Sequence, residues 1–318
     1  MAAAVVVAAA AAQAAAAARG WDNPRRMDGI LLHAVAALLY GALAAHFWRT
    51  RWHSPHSAGL AQWERLAILV PVALHTFLLY QALFVAPELR FGFGQALSIT
   101  LWLAVLIYWV QSLFVNLEGM QPIVLGAAAV CVLLPGLFPG LAASREASGL
   151  AFRAHLALAM LAYGLFTIGA MHALLMALVE RRLHRGRLVG ARGEHADDRT
   201  LPGVGPLEGP LASLPPLLTL ERLLFRILTL GFVLLTLTLL SGAIYSEEVF
   251  GRALRLNHKT LFAILSCVIF GLLLAGRWRY GWRGRRALRW TLAGFVMLLL
   301  AYVGSRFVME VILGRGPV

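Results

Sequence analysis

Apolar residues in this chain neither alternate nor recur in narrow stripes; they come in long blocks. Eight apolar segments, at about 29–48, 65–86, 94–116, 121–142, 152–179, 223–245, 258–275 and 288–312, are separated by shorter runs that hold most of the charge. Roughly 20 apolar residues in a helix cover the hydrocarbon core of a bilayer. In lipid every backbone N–H and C=O must be bonded internally, which a helix achieves within one segment. The pattern predicts an all-α fold, a polytopic membrane helical bundle of about eight transmembrane helices.

Composition agrees: 60% of the 318 residues are hydrophobic and 14% charged, with a mean hydropathy of +0.75. Eight spans leave room for one bundle, taken as residues 27–318, and not for a large soluble domain besides. Residues 1–19 are nearly all alanine and valine. The extension 1–26 is set outside the fold, either as translated sequence upstream of a start at Met27 or as a signal-like segment without a basic n-region. The stretch "PGVGPLEGPLASLPP" (202–216) reads as part of a long loop.

A net charge of +13 raises the question of nucleic acid, but the basic residues are dealt out between apolar runs, so the lipid bilayer is the expected partner and nucleic acid is not. Connections 49–64, 180–222 and 276–289 are arginine-rich and follow the first, fifth and seventh segments, which puts them on one side. The positive-inside rule makes that side cytoplasmic, with a basic inner loop at 180–222 and both termini outside. Arg252, Arg255 and Lys259 are basic residues on the outer side, against the trend.

Candidate chemistry is sparse. There is no phosphate-binding loop, Ser-His-Asp arrangement or paired-carboxylate signature, and the chain reads as a non-enzyme. Cys131 and Cys267 lie inside apolar runs without a Cys-x-x-Cys, as ordinary buried cysteines do, and without Cys-x-x-Cys-His the chain is not itself a c-type cytochrome. Arg306 and Glu310, four residues apart on the last segment, share a helix face and can pair.

The histidines carry more information. His155 opens the fifth segment and His258 the seventh, so both lie at the outer face on parallel helices. Two imidazoles at equal depth can supply both axial ligands of a haem iron. Phe152, Tyr245 and Phe250 could wall such a group, and Arg153, Arg252, Arg255 and Lys259 could neutralise its propionates. The plainer reading, a helix-end histidine bonded to a loop carbonyl or lying among headgroups, stays open. His75 falls roughly 15 Å into the second segment, near mid-membrane, where it serves either a functional site or a helix–helix hydrogen bond. His172 falls near the inner face, and His53, His56, His184 and His195 lie in polar inner connections.

Three blocks carry a resemblance: "AHLALAMLAYGLFTIGAMHALLMALVERRL" (154–183), "LPPLLTLERLLFRILTLGFVLLTLTLLSG" (214–242) and the run from Asn257 to Leu313 that opens "NHKTLFAILSCVIFGLLLAGRWRY". They resemble the integral-membrane cytochrome c assembly proteins, the CcsA/CcmC/ResC group of haem handlers, and within it the YpjD-like branch of inner-membrane proteins. The resemblance covers roughly 27–318. It implies a helical bundle in a bacterial inner membrane that binds or moves haem, taken as haem b, at the outer face for attachment to apocytochrome c, with other membrane assembly factors as possible partners. His155 stands where a family histidine opens a helix; His75 matches a membrane-embedded family histidine more loosely. The better-known members carry a tryptophan-rich outer motif ending Trp-Asp-x-Lys-Glu-Thr. Here "RLNHKT" (255–260) keeps Lys259 and Thr260 without the tryptophans or the aspartate, and a later helix-end histidine is replaced by "LAGRWRYGWRG" (274–284). His258 is the candidate replacement ligand. The competing expectation is a transporter, or an accessory or scaffold membrane protein that keeps the fold without haem delivery.

Overall fold

A computed structural model describes residues 24–51, 60–86, 90–115, 117, 119–140, 150–192, 217–250 and 257–313. Among them, eight helices follow the eight apolar segments: α1 (Pro24–Arg51), α2 (Gln62–Tyr80, continued by a π turn over Gln81–Val85), α3 (Phe93–Ser112), α4 (Gln121–Cys131, with one more turn over Leu134–Leu137), α5 (Leu150–Arg192), α6 (Leu217–Phe250), α7 (His258–Tyr280) and α8 (Gly284–Leu299, carried through π and α turns to Ile312). Seven contain an apolar stretch of 20–29 residues, long enough to cross a membrane, with mean hydropathies of 1.7–2.3; the stretch Gln121–Leu137 is shorter. The protein is an all-α polytopic membrane bundle.

Some boundaries depart from the apolar blocks, for physical reasons. The fourth segment helix stops at Cys131 and restarts at Leu134, with Pro135 in the first turn of the restart, because proline cannot continue an existing ladder. α5 and α6 outlast their apolar blocks, to Arg192 and from Leu217. Long arginine side chains reach from a helix flank to water, so a helix need not end where the hydrocarbon does. Residues 193–216 of the inner loop lie outside the described residues, as do 1–23 of the extension and His53, His56 and His195. At the start of α7, the Asn257 Oδ1 accepts the Thr260 N–H at 3.0 Å, an N-cap that makes His258 the first helical residue. Gly281, at φ 65°, ends α7 in the left-handed conformation that favours glycine.

α5 is the hub. It packs against α3, α6 and α8, while α1 packs against α2 and α4, and α7 against α6 and α8. The share of the apolar window that is buried reaches 72% in α5 and 61% in α3 but 17–33% in the other spans, so these two form the centre and the rest meet lipid. Small residues set the closest approaches: a Cβ on Gly164 would lie 2.8 Å from Leu103 Cβ, and one on Gly294 the same distance from the Phe270 ring. Without a hydrophobic drive between helices in lipid, this close contact is what holds them. Large apolar side chains such as Leu38, Leu240, Ile244 and Leu261 point outward, and Tyr80 and Phe84 at one end and Trp63, Trp278 and Tyr280 at the other are exposed, as membrane-interface aromatics are.

One end of the bundle is strongly basic, as the arginine-rich connections predict. Arg51 of α1 bonds Glu64 of α2 at 2.6 Å, Arg285 of α8 bonds Glu180 of α5 at 2.9 Å, and Arg277 of α7 bonds Glu221 of α6. The ends of α1, α5 and α7 and the starts of α2, α6 and α8 therefore share that end.

Candidate functional site

The opposite end holds three of the residues singled out by the sequence, His155, His258 and Lys259. His155, in the first turns of α5, is half-buried; its Nδ1 lies 2.9 Å from Ser241 Oγ on α6. Ser241 donates its own hydroxyl proton to the Thr238 carbonyl at 3.1 Å. With the serine proton directed at that carbonyl, the oxygen accepts from Nδ1 and Nε2 keeps a lone pair; with it directed at Nδ1, Nε2 carries the imidazole hydrogen. Gly242 makes room for the ring: a Cβ there would come 3.1 Å from His155 Cε1. A neutral imidazole, oriented through one nitrogen with the other open, is the arrangement of a metal-ligating histidine.

His258 is at the depth the sequence predicts but on another face. Phe166 of α5 and Phe270 of α7 stack with ring centroids 4.0 Å apart, which sets the register of these two parallel helices. His155 lies eleven residues before Phe166, and Lys259 eleven before Phe270. Eleven residues rise about 16 Å, so His155 and Lys259 lie at similar depth beyond the stack, His155 turned to Ser241 of α6 and Lys259 toward Arg306 and Glu310 of α8. His258, one residue on, is turned about 100° away and is exposed, while Lys259 is half-buried. Arg252 and Arg255 lie outside the described residues, as do the side chains of Tyr245 and Phe250. Arg153 lies over the Phe84 ring at 5.9 Å, tying the start of α5 to the end of α2.

Lys259 belongs to a charge cluster at the end of α8. It interacts electrostatically with Arg306 and Glu310. Arg306 Nη1 stands 3.7 Å from Glu310 Oε1, the expected i, i+4 pair. Glu310 is 8% exposed, and its Oε2 accepts the Phe93 N–H at the start of α3 at 3.4 Å. A Cβ on Gly92 would meet that carboxylate at 2.6 Å, and the Gly140 Cα at 2.8 Å. The loops before α3 and after α4 thus cross directly beneath Glu310. The cluster is a clasp around a carboxylate, with Lys259 on its border.

The other histidines are engaged elsewhere. His75 is fully buried, its Nδ1 3.4 Å from Tyr40 Oη and its Nε2 2.8 Å from Ser98 Oγ. It joins α1, α2 and α3, and both ring nitrogens are occupied. His33 Nδ1 donates to the Val132 carbonyl at 2.7 Å. His172 donates Nδ1 to its own helix at Ile168, 2.8 Å, and is buried. Ser241 and Gly242 were not singled out in the sequence; the signal for them is the small pair "SG" interrupting a leucine-rich run.

The apolar helices and the basic end together define a polytopic helical membrane protein, and comparison with known proteins gives its family. The cytochrome c assembly protein family matches residues 63–313, and the chain belongs to that family. It is 32% identical over 158 residues to the inner membrane protein YpjD of Escherichia coli K12, covering 50% of this chain and 52% of that protein, so the match spans about half the length of that relative. An uncharacterized 28.8 kDa protein of Azospirillum brasilense is 30% identical over 239 residues, 72% of this chain and 79% of the relative. The cytochrome c biogenesis protein CcsA of Prochlorococcus marinus MIT 9303 is 35% identical over 85 residues, 27% of each chain.

Proposed function

We propose that this protein is a non-enzymatic haem-handling factor of cytochrome c biogenesis, a multi-pass protein of the bacterial inner membrane that holds haem b at its outer end. The positive-inside rule makes the arginine-rich end cytoplasmic and the His155 end outer. The observation that carries the reading is half-buried His155, held through Nδ1 by Ser241 with Nε2 free of any partner among the described residues, at the end of the bundle that also holds half-buried Lys259. A haem needs an imidazole lone pair on iron and cations for its propionates; His155 fits the first need and Lys259 the second. His258, at the same depth, is the candidate for the second axial position, and apocytochrome c or other membrane assembly factors are the candidate recipients. His75, with both nitrogens bonded, takes the helix–helix role in this reading.

The test is the absorption spectrum of the detergent-purified full-length protein with added haem. Wild type gives a Soret band, His155→Ala loses or shifts it, and His172→Ala leaves it unchanged. Conversion of a six-coordinate, low-spin spectrum to a five-coordinate one in His258→Ala identifies that residue as second ligand; no change assigns the position to another group. An unaltered spectrum in His155→Ala, or a wild type that binds no haem, overturns the reading in favour of a transporter or scaffold that has kept the family fold.

A further inference from the structure

At the basic end, a groove of about 530 Å³ runs along α6 beside the end of α7. Arg222, Arg226 and Arg277 line its head, and Leu230 and Val233 its foot. We propose that this groove binds an anionic phospholipid of the adjoining leaflet, its phosphate between the arginines and an acyl chain along the apolar stripe below.

The three arginines are not equivalent. Arg277 is held in place: it pairs with Glu221 and lies over the Phe225 ring, 4.6 Å from its centroid. Glu221 is 7% exposed and also meets Arg283 at 3.7 Å, so the nearby carboxylate is turned inward and already shared between cations. Arg222 and Arg226 are exposed and have no hydrogen-bond or ion-pair partner among the described residues. They sit one turn apart on the same face, where like charges repel. A pair of guanidiniums at this spacing, uncompensated by the protein, is complementary to a phosphate diester, which guanidinium binds through two parallel hydrogen bonds.

The apolar half decides between a lipid and a soluble anion. Below Arg226 the same face continues as Leu230, Val233, Leu237, Leu240 and Ile244, at alternating spacings of four and three residues, all exposed. That stripe extends about 27 Å from Arg226 at the helical rise, enough to accompany an acyl chain through its leaflet. A free phosphate would occupy the head and leave the foot unfilled, whereas a phospholipid meets both. Basic pockets between membrane helices at a headgroup boundary bind acidic lipids on this principle.

Native mass spectrometry of the full-length protein, delipidated in detergent and titrated with phosphatidylglycerol, cardiolipin or phosphatidylcholine, tests this. The expected result is an acidic-lipid adduct at least five-fold more abundant than the phosphatidylcholine adduct. That excess should be lost in Arg222→Gln/Arg226→Gln and kept in Arg49→Gln/Arg279→Gln, which removes the same charge from exposed positions at the same end. Glycerophosphate at the lipid concentration should fail to displace the adduct. Equal adducts of acidic and neutral lipid in wild type overturn the proposal. So does retention in Arg222→Gln/Arg226→Gln, equal loss in the Arg49/Arg279 control, or displacement by glycerophosphate. The wild-type selectivity and the displacement arm stand even where a variant does not fold.

Discussion

A single hydroxyl decides what His155 can do. Ser241 Oγ meets both the Thr238 carbonyl and the imidazole Nδ1, so it fixes the direction of the ring and points Nε2 away from α6. Ser241→Ala should therefore leave the fold intact and weaken haem binding by about ten-fold or more, the usual effect of removing a partner that orients a metal-binding histidine. A haem titration with a parallel thermal melt checks both halves; unchanged affinity would separate Ser241 from the site. Glycines report space at the same scale. Gly92→Ala pushes a methyl into Glu310 Oε2 and the Gly140 backbone, an overpacking that costs roughly 1–3 kcal/mol. Gly41→Ala on α1 has nothing within 4 Å of the new Cβ and should leave stability unchanged or raised. Thermal unfolding of the two variants in one detergent compares them directly.

At the scale of the elements, α8 closes the bundle through its last turns. Its π turns over Leu300–Gly304 and Val308–Ile312 bring Arg306 and Glu310 to the start of α3, where the carboxylate takes the Phe93 N–H. Arg306→Ala removes one of the two cations of a buried cluster and leaves Lys259 alone to balance Glu310, which should cost stability. Folded yield should fall in the single variant and recover in part in Arg306→Ala/Glu310→Gln. The glutamine still accepts from Phe93 but carries no charge. Failure of the second change to restore yield would mean that the guanidinium packs rather than compensates. Deeper in the bundle, Phe270 joins α7 to two neighbours at once, stacked on Phe166 of α5 and seated against Gly294 of α8. Phe270→Ala should lower stability by about 3–5 kcal/mol, the cost of removing a fully buried aromatic side chain, as read from detergent unfolding.

For the whole molecule, orientation is the property on which the outer placement of His155 rests. Arginines gather where α1, α5 and α7 end and where α2, α6 and α8 begin. Reporter fusions at 185–200 and 280–287 should read as cytoplasmic, and those near 146–150 and 249–254 as external. Reversal at 280–287 would move His155 and Lys259 to the inner leaflet and withdraw the outer-face reading.

The apolar helices, the basic end and the positions of His75, His155 and His258 along them were legible in the sequence, because length, hydropathy and charge along a helix are one-dimensional quantities. The i, i+4 pair of Arg306 and Glu310 was legible for the same reason. Direction was not. Whether His155 turns toward α6 or α7 depends on how the helices pack, and packing turns it to Ser241 of α6. Nor could the sequence show that Ser241, 86 positions from His155, meets its Nδ1, or that Glu310 caps a helix 217 positions away at Phe93. His75 is the clearest division. Its mid-membrane depth follows from counting residues, but Tyr40 and Ser98, contributed by two other helices, occupy both of its nitrogens. A buried imidazole's chemistry is set by the partners that reach it in three dimensions.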